Sequence, residues 1–340
     1  MKTENVLERF SEMMISRMEQ MKASNWKKGW FTSSYGMNPC NLVGREYNGM
    51  NSFFLFLYMM DEDRFKFPIF ATFNQIKKLG ANVIKGEKSF PVLFWSFSYK
   101  SKDGNNITEE TYNGMSDIQK KECSVKPFLK SYNVFNLSQT NIEEVAPNAT
   151  QKLKKKFNLN DDSYMSTDTF GMYENPEFDD MILFQKWVCP INCIQSDRAF
   201  YSPSSDKITI PLKSQFKKGI TDDDIYADGQ EYYATILHEM AHSTGSEKRL
   251  CRNLTGDEKD YAKEELVAEL TSALLCNTLG FSNRIIDNNA AYLDAWVAKL
   301  KKQPKYIVSV MADVSRAAKM IMEVLTKEEK HLIEESSIMN

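Results

Sequence analysis

The 340-residue sequence is poor in histidine, with three, and in cysteine, with six. Six cysteines spread over this length are too few for a disulfide scaffold. Long apolar runs are also missing. The longest, Phe53 to Met60, is eight residues, and a membrane-spanning helix needs about 20. The N-terminus, Met1-Lys2-Thr3-Glu4-Asn5, carries an acid early and lacks the apolar stretch of a secretory signal. There is no internal repeat and no low-complexity tract. What is present is ordinary for a globular protein: 42% hydrophobic and 26% charged residues. That balance excludes a disordered, collagenous or coiled-coil chain. The length predicts two domains, each able to bury a core. The expectation is a soluble, cytoplasmic protein.

The net charge of −3 hides an asymmetry. Residues 1–140 hold 19 Lys/Arg against 14 Asp/Glu, and residues 141–340 hold 24 against 32. Between 64 and 102 there are eight basic residues and a single acid, Glu87. A basic half points to a polyanionic partner.

Apolar residues at helical spacing predict a helix over 3–22, with a stripe of methionines on its inner face. Asn51 or Ser52 opens an apolar helix over 53–60, and Thr72 caps another over 73–79 that stops at Gly80. Phe90–Tyr99 reads as a strand, with Tyr132–Leu137 as its hairpin partner. Asp206–Pro211 reads as a short edge strand. From 229 onward four helices are expected: Gly229–Ser243, a helix opening at Asp257 or Asp260 and running to Gly280, 288–302, and 308–325.

The chemistry concentrates in His238-Glu239-Met240-Ala241-His242. Histidines at i and i+4 lie one turn apart on one helix face, so both imidazoles reach one metal. With three histidines in the chain, about 0.002 such matches are expected by chance. Glu239 stands beside the metal position, where it serves as general base toward water. A catalytic site needs a third protein ligand. The only other histidine, His331, is remote, so the third ligand is a carboxylate of the next helix. Glu265 and Glu269 share a face there. Glu265 is assigned as ligand, with Glu264 as the alternative, and Glu269 supports a ligating ring from behind. The set implies a zinc (or other divalent metal) peptidase. Candidates for the oxyanion are Tyr201, Tyr261, Tyr292 and Arg249. An extended substrate would pair with the strand at Asp206–Pro211. Cys189-Pro-Ile-Asn-Cys193 has no second pair at zinc-site spacing and reads as core thiols.

Several ordered motifs carry a family resemblance. In the C-terminal half they are Ala199-Phe200-Tyr201-Ser202-Pro203, Asp206–Pro211, Tyr232–Gly245 around the histidines, and Tyr261–Leu270 with its Glu265-x-x-Ala268-Glu269 run. In the N-terminal half they are Asn38–Asn41, Tyr47–Asn51, Thr72–Gln75, Gly80–Lys88 and Val134–Gln139. Together these resemble the ArdC-type antirestriction proteins of plasmids, conjugative elements and phages. The resemblance implies an α+β fold in two domains: a small α+β single-stranded-DNA-binding domain over 1–140, a linker over 141–165, and a mostly helical zincin-like metallopeptidase domain over 166–340 with a short edge-stranded sheet. It supports Glu265 as the third ligand. It implies single-stranded DNA as a partner, and a host restriction component or another protein as substrate. Tyr47, Asn51, Lys85 and Lys88 are the DNA contacts it suggests. Phe73, Phe90, Phe94, Trp95 and Tyr99 are available for stacking, but alternation along the strand lets only the Phe94 set or the Trp95 set meet DNA.

Overall fold

A computed structural model describes residues 3–23, 38–60, 65, 67–145, 147, 171–254, 257–280 and 293–325. Most of the expected linker lies outside these residues, as do Arg64, Lys66, Tyr292 and His331. The chain opens with α1 (Thr3–Ala23). Its Val6, Phe10, Met14, Met18 and Met21 are buried, so the methionine stripe is core. The N-terminal half continues through β1 (Cys40–Asn41), α2 (Met50–Met60), β2 (Ile69–Ala71), α3 (Phe73–Lys78), β3 (Phe90–Lys100), β4 (Asn106–Ile107), α4 (Glu109–Asn113), α5 (Asp117–Glu122), β5 (Ser124–Asn136) and α6 (Ile142–Val145). Thr72 and Gln75 form the capping box of α3, as its sequence implies. The five strands form one sheet in the order β1-β2-β5-β3-β4. The hairpin of β3 and β5 is longer than the expected 132–137 return, because β5 begins at Ser124 and pairs along the whole of β3. α4 and α5, between β4 and β5, have no apolar face and so give no helical signature in the sequence; among their residues none is buried.

The C-terminal half holds α7 (Pro176–Leu183), β6 (Ile191–Ile194), β7 (Phe200–Ser202), β8 (Lys207–Pro211), α8 (Asp222–Thr244), α9 (Glu258–Thr278), α10 (Leu293–Lys302) and α11 (Tyr306–Leu325). The second sheet runs β6-β8-β7, with β8 parallel to β6 and antiparallel to β7. This corrects the edge assignment of Asp206–Pro211: β8 is the central strand, with both of its backbone edges paired. β6 and β7, of four and three residues, are too short to show a periodicity that would have revealed them.

One apolar core runs through both halves, from Val6 on α1 to Ile321 on α11. α1 packs on α10 and α11, and α2 packs on α11. Polar ties cross the same boundary. Ser11 Oγ donates to Pro304 O at 3.0 Å, and Thr278 Oγ1 donates to Asn38 Oδ1 at 2.9 Å. Gly49, at φ +53°, comes so close to α11 that a Cβ there would stand 2.8 Å from Ser315 Cβ. No helix among the described residues is long and apolar enough to cross a membrane.

Candidate metal centre

α8 starts earlier than its apolar pattern suggests. Thr221 caps it, its hydroxyl accepting from Asp224 N at 3.2 Å, and three aspartates in the first turn complement the helix dipole. Asp228 Oδ2 accepts from the backbone N–H groups of Lys218 and Gly219 at 2.6 and 2.7 Å, which ties down the entering loop. Tyr233, Ile236, Leu237, Met240 and Ala241 bury one side of the helix. α9 lies against it, with Leu266 and Leu270 buried and Ser272 Oγ donating to Ala234 O at 2.9 Å. This packing brings Glu265 across to the histidines.

His238 Nε2 and His242 Nε2 are 3.1 Å apart. Glu265 Oε2 lies 3.5 Å from the former, and its Oε1 lies 3.6 Å from the latter. Donors on a tetrahedral metal at about 2.0–2.1 Å stand about 3.3 Å from one another. The three side chains therefore fit one divalent ion, with a fourth position left for water. Among the described residues they form a His/His/Glu cluster with donor atoms within 4.8 Å. Glu239, next to His238, is buried at the same place.

Each ring turns its other nitrogen to a carboxylate. His242 Nδ1 is 3.2 Å from Glu264 Oε1, and His238 Nδ1 is 3.7 Å from Glu269 Oε2. The Glu264 contact fixes which nitrogen of His242 faces the metal, whereas Glu269 faces His238 Nδ1 beyond hydrogen-bond distance. Glu264 is thus placed behind His242, not in the ligand position the sequence left open to it. It is held there by Arg252, whose Nε and Nη2 donate to its two oxygens at 2.8 and 2.7 Å. The same guanidinium donates to Ala241 O and Thr244 Oγ1, so it also closes the C-terminus of α8. No motif marks Arg252 in the sequence.

The electrostatics follow from these contacts. Burial alone would lower the His242 pKa, but hydrogen bonds with Glu264 and Glu265 outweigh it and lift it to about 10. Burial pushes Glu265 up, and the two histidines more than reverse this, so its carboxyl lies well below the usual range. Glu264 is lowered in the same way, burial being outweighed by Arg252 and His242.

The other predicted residues are scattered. Tyr201 and Arg249 are spent on Asp206: Tyr201 Oη donates to it at 2.8 Å, and Arg249 pairs with it through Nη1 and Nη2. Tyr261 is 43% exposed on α9, one turn before Glu265. Cys189 and Cys193 are free thiols, as expected. Of the four suggested DNA contacts, Lys85 and Lys88 are exposed. Tyr47 and Asn51 are buried, and here the sequence reading is corrected. Asn51 exchanges both amide hydrogen bonds with the backbone of Leu93, at 2.7 and 2.8 Å. Tyr47 packs against Phe70 and Phe94, and burial lifts its phenol to about 12. A Gly/Asn-rich stretch looks polar in sequence, but its polar atoms are consumed by the fold.

These features define a zincin-like metal domain joined to an α+β N-terminal domain. Two family models match accordingly: a zincin-like metallopeptidase over residues 182–313, and the N-terminal domain of anti-restriction factor ArdC over residues 4–135. The crystal structure of the antirestriction ArdC protein from plasmid R388, metal-free, is 25% identical with a TM-score of 0.66, covering 93% of this chain and 97% of that one. Its Mn(II)-bound form is 26% identical with a TM-score of 0.64, covering 94% and 98%. The chain thus has, half by half, the two domains of an ArdC-type protein and is similar to that antirestriction protein over nearly its whole length. It is also 30% identical over 338 residues to the DNA primase TraC of Escherichia coli, spanning 96% of this chain but 28% of that protein's length. An uncharacterized Sinorhizobium fredii protein, y4eC, is 25% identical over 321 residues, 92% of this chain and 90% of its own.

Proposed function

We propose that this protein binds single-stranded DNA through its N-terminal domain and protects incoming DNA from host restriction, acting in the cytoplasm. The DNA-binding domain is taken as residues 1–140, the linker as 141–165, and the metallopeptidase-like domain as 166–340. The observation that carries the reading is the convergence of His238, His242 and Glu265 on one point with Glu239 beside it, in a chain whose N-terminal half is basic. His238, His242 and Glu265 would hold zinc, or manganese as in the R388 relative. Such an ion would supply a Lewis acid and acidify water. Glu239 is the residue that would accept a proton from water and return it to a leaving amine. Glu264 keeps the His242 ring oriented, and Glu269 stands behind the His238 ring.

The residue facing the oxyanion is Tyr261 in this reading. Tyr201 and Arg249 are committed to Asp206, whereas Tyr261 shares a helix face with Glu265. β7 replaces β8 as the strand an extended peptide would join. It touches α8 and has one ladder partner. The opposite edge, β6, is already engaged by Gln185, whose amide bonds both the N–H and the C=O of Ile191.

The test is transfer of unmodified plasmid DNA into a restricting host. The host expresses wild type or Glu239→Ala at matched levels. Protection by wild type and loss with the variant supports metal chemistry in antirestriction. Equal protection by both would set the peptidase role aside.

A further inference from the structure

β3 and β5 form a ribbon of eleven paired positions. Its base is in the core, with Phe90 and Val134 buried, and its outer part stands in solvent. Directly paired residues share a face, and faces alternate along each strand. The register therefore sorts the ribbon into two surfaces. One carries Phe94, Phe128 and Tyr132 together with all three lysines of the ribbon, Lys100, Lys126 and Lys130. The other carries Trp95, Phe97 and Tyr99 and no charge. Neither strand contains an aspartate or glutamate. At the tip, the uncharged face is met by α4, where Tyr99 and Tyr112 lie 4.7 Å apart.

On the lysine face the rings are open. Phe94, Phe128 and Tyr132 are 40%, 46% and 40% exposed. Phe94 and Tyr132 meet edge to face at 5.7 Å, and Lys130 Nζ sits 5.1 Å above Tyr132. Open rings interleaved with cations, without an acid among them, suit a polyanion whose base faces are free. That is a single strand: its bases stack on rings and its phosphates meet lysines. A duplex hides its base faces and would leave the rings unused.

We propose that this face of the β3–β5 ribbon is the single-strand platform, with Lys126 and Lys130 on phosphates and Phe128 and Tyr132 beneath bases. It rests on the reading of the N-terminal domain as DNA-binding. The experiment titrates the full chain against a fluorescein-labelled oligothymidylate across a salt series, with thermal unfolding as a fold check. K126E/K130E is expected to weaken binding by about tenfold or more and to flatten the log affinity–log salt slope by about 1.4, or 0.7 per lost phosphate contact. F128A is expected to weaken binding about fivefold or more at unchanged slope. W95S/F97S, on the opposite face, is expected to bind as wild type. If wild type binds and both lysine-face variants bind equally well, the platform is overturned and the DNA reading stands. Weakening confined to W95S/F97S assigns the other face and overturns the proposal. If wild type binds no oligonucleotide at any salt, the DNA reading itself fails and the platform falls with it.

Discussion

At the level of single side chains, the pair between Arg252 and Glu264 is buried at both ends, with 7% and 5% of the side chains exposed. Removing the guanidinium leaves a buried carboxylate without its cation, although Ala241 O keeps the Thr244 hydroxyl at 2.6 Å and Glu264 keeps His242. Arg252→Ala is therefore expected to cost about 3–5 kcal/mol in urea unfolding. Because Glu264 also orients His242, metal affinity should drop about 10–100-fold, measured by titration of the ion into chelator-treated protein. The ligands themselves give a cleaner contrast. A hundredfold excess of metal over its dissociation constant should stabilise wild type by about 2.7 kcal/mol. His238→Ala and Glu265→Ala should lose that gain, and Glu239→Gln should keep it. A third prediction concerns acid. Hydrogen bonds from Arg249 and Tyr201 hold the Asp206 carboxyl down to about 2. A group depressed by folding adds stability above its unfolded pKa and loses it as pH falls through the folded one. The stability gap between wild type and Asp206→Asn should thus be full above about pH 5 and close toward pH 2. His238, Glu239, His242 and Glu265 were legible because i, i+4 spacing on two helices is visible in one dimension. Arg252 was not, since its role depends on a turn that folds back twelve residues before its partner.

Among the elements, α8 shows local preference and packing pulling in opposite directions. A glycine inside a helix costs about 1 kcal/mol relative to alanine. At Gly229, however, a Cβ would stand 2.2 Å from Tyr173 N, a backbone atom that cannot swing aside. Gly229→Ala is expected to lower the melting temperature despite its better propensity, and a rise would mean that the 171–175 segment yields. The helix itself was readable from its apolar side, but its first two turns were not, because Asp222–Tyr226 has no residue buried in the core. The second sheet was half legible. Ile208 and Ile210 alternate inward as a strand requires. Whether a strand is central depends on its neighbours, and neither neighbour is long enough to announce itself.

At the scale of the whole molecule, chain length suggested two domains, and family matches fall on each half in turn. Packing joins them. The exposed ion pairs Lys22–Asp294 and Lys301–Glu19 contribute little, at most about 1 kcal/mol each. The apolar contact of α1 and α2 with α10 and α11 matters more. A fragment of residues 1–140 should accordingly expose the inner face of α1 and show dye binding and poor solubility, whereas the full chain should unfold in one transition. Helical spacing revealed the inner face of α1 but not what covers it, since the covering helices lie nearly 300 residues away, as the 293-residue separation of Ser11 and Pro304 illustrates. That separation also has a time attached to it. At ribosomal speeds of 5–20 residues per second, α1 waits roughly 15–60 s for its partners to be made. Phe54 and Phe90 can cover Phe10 early, but the part of the face that meets α10 and α11 waits out that interval, which makes the newborn chain a suitable client for chaperones.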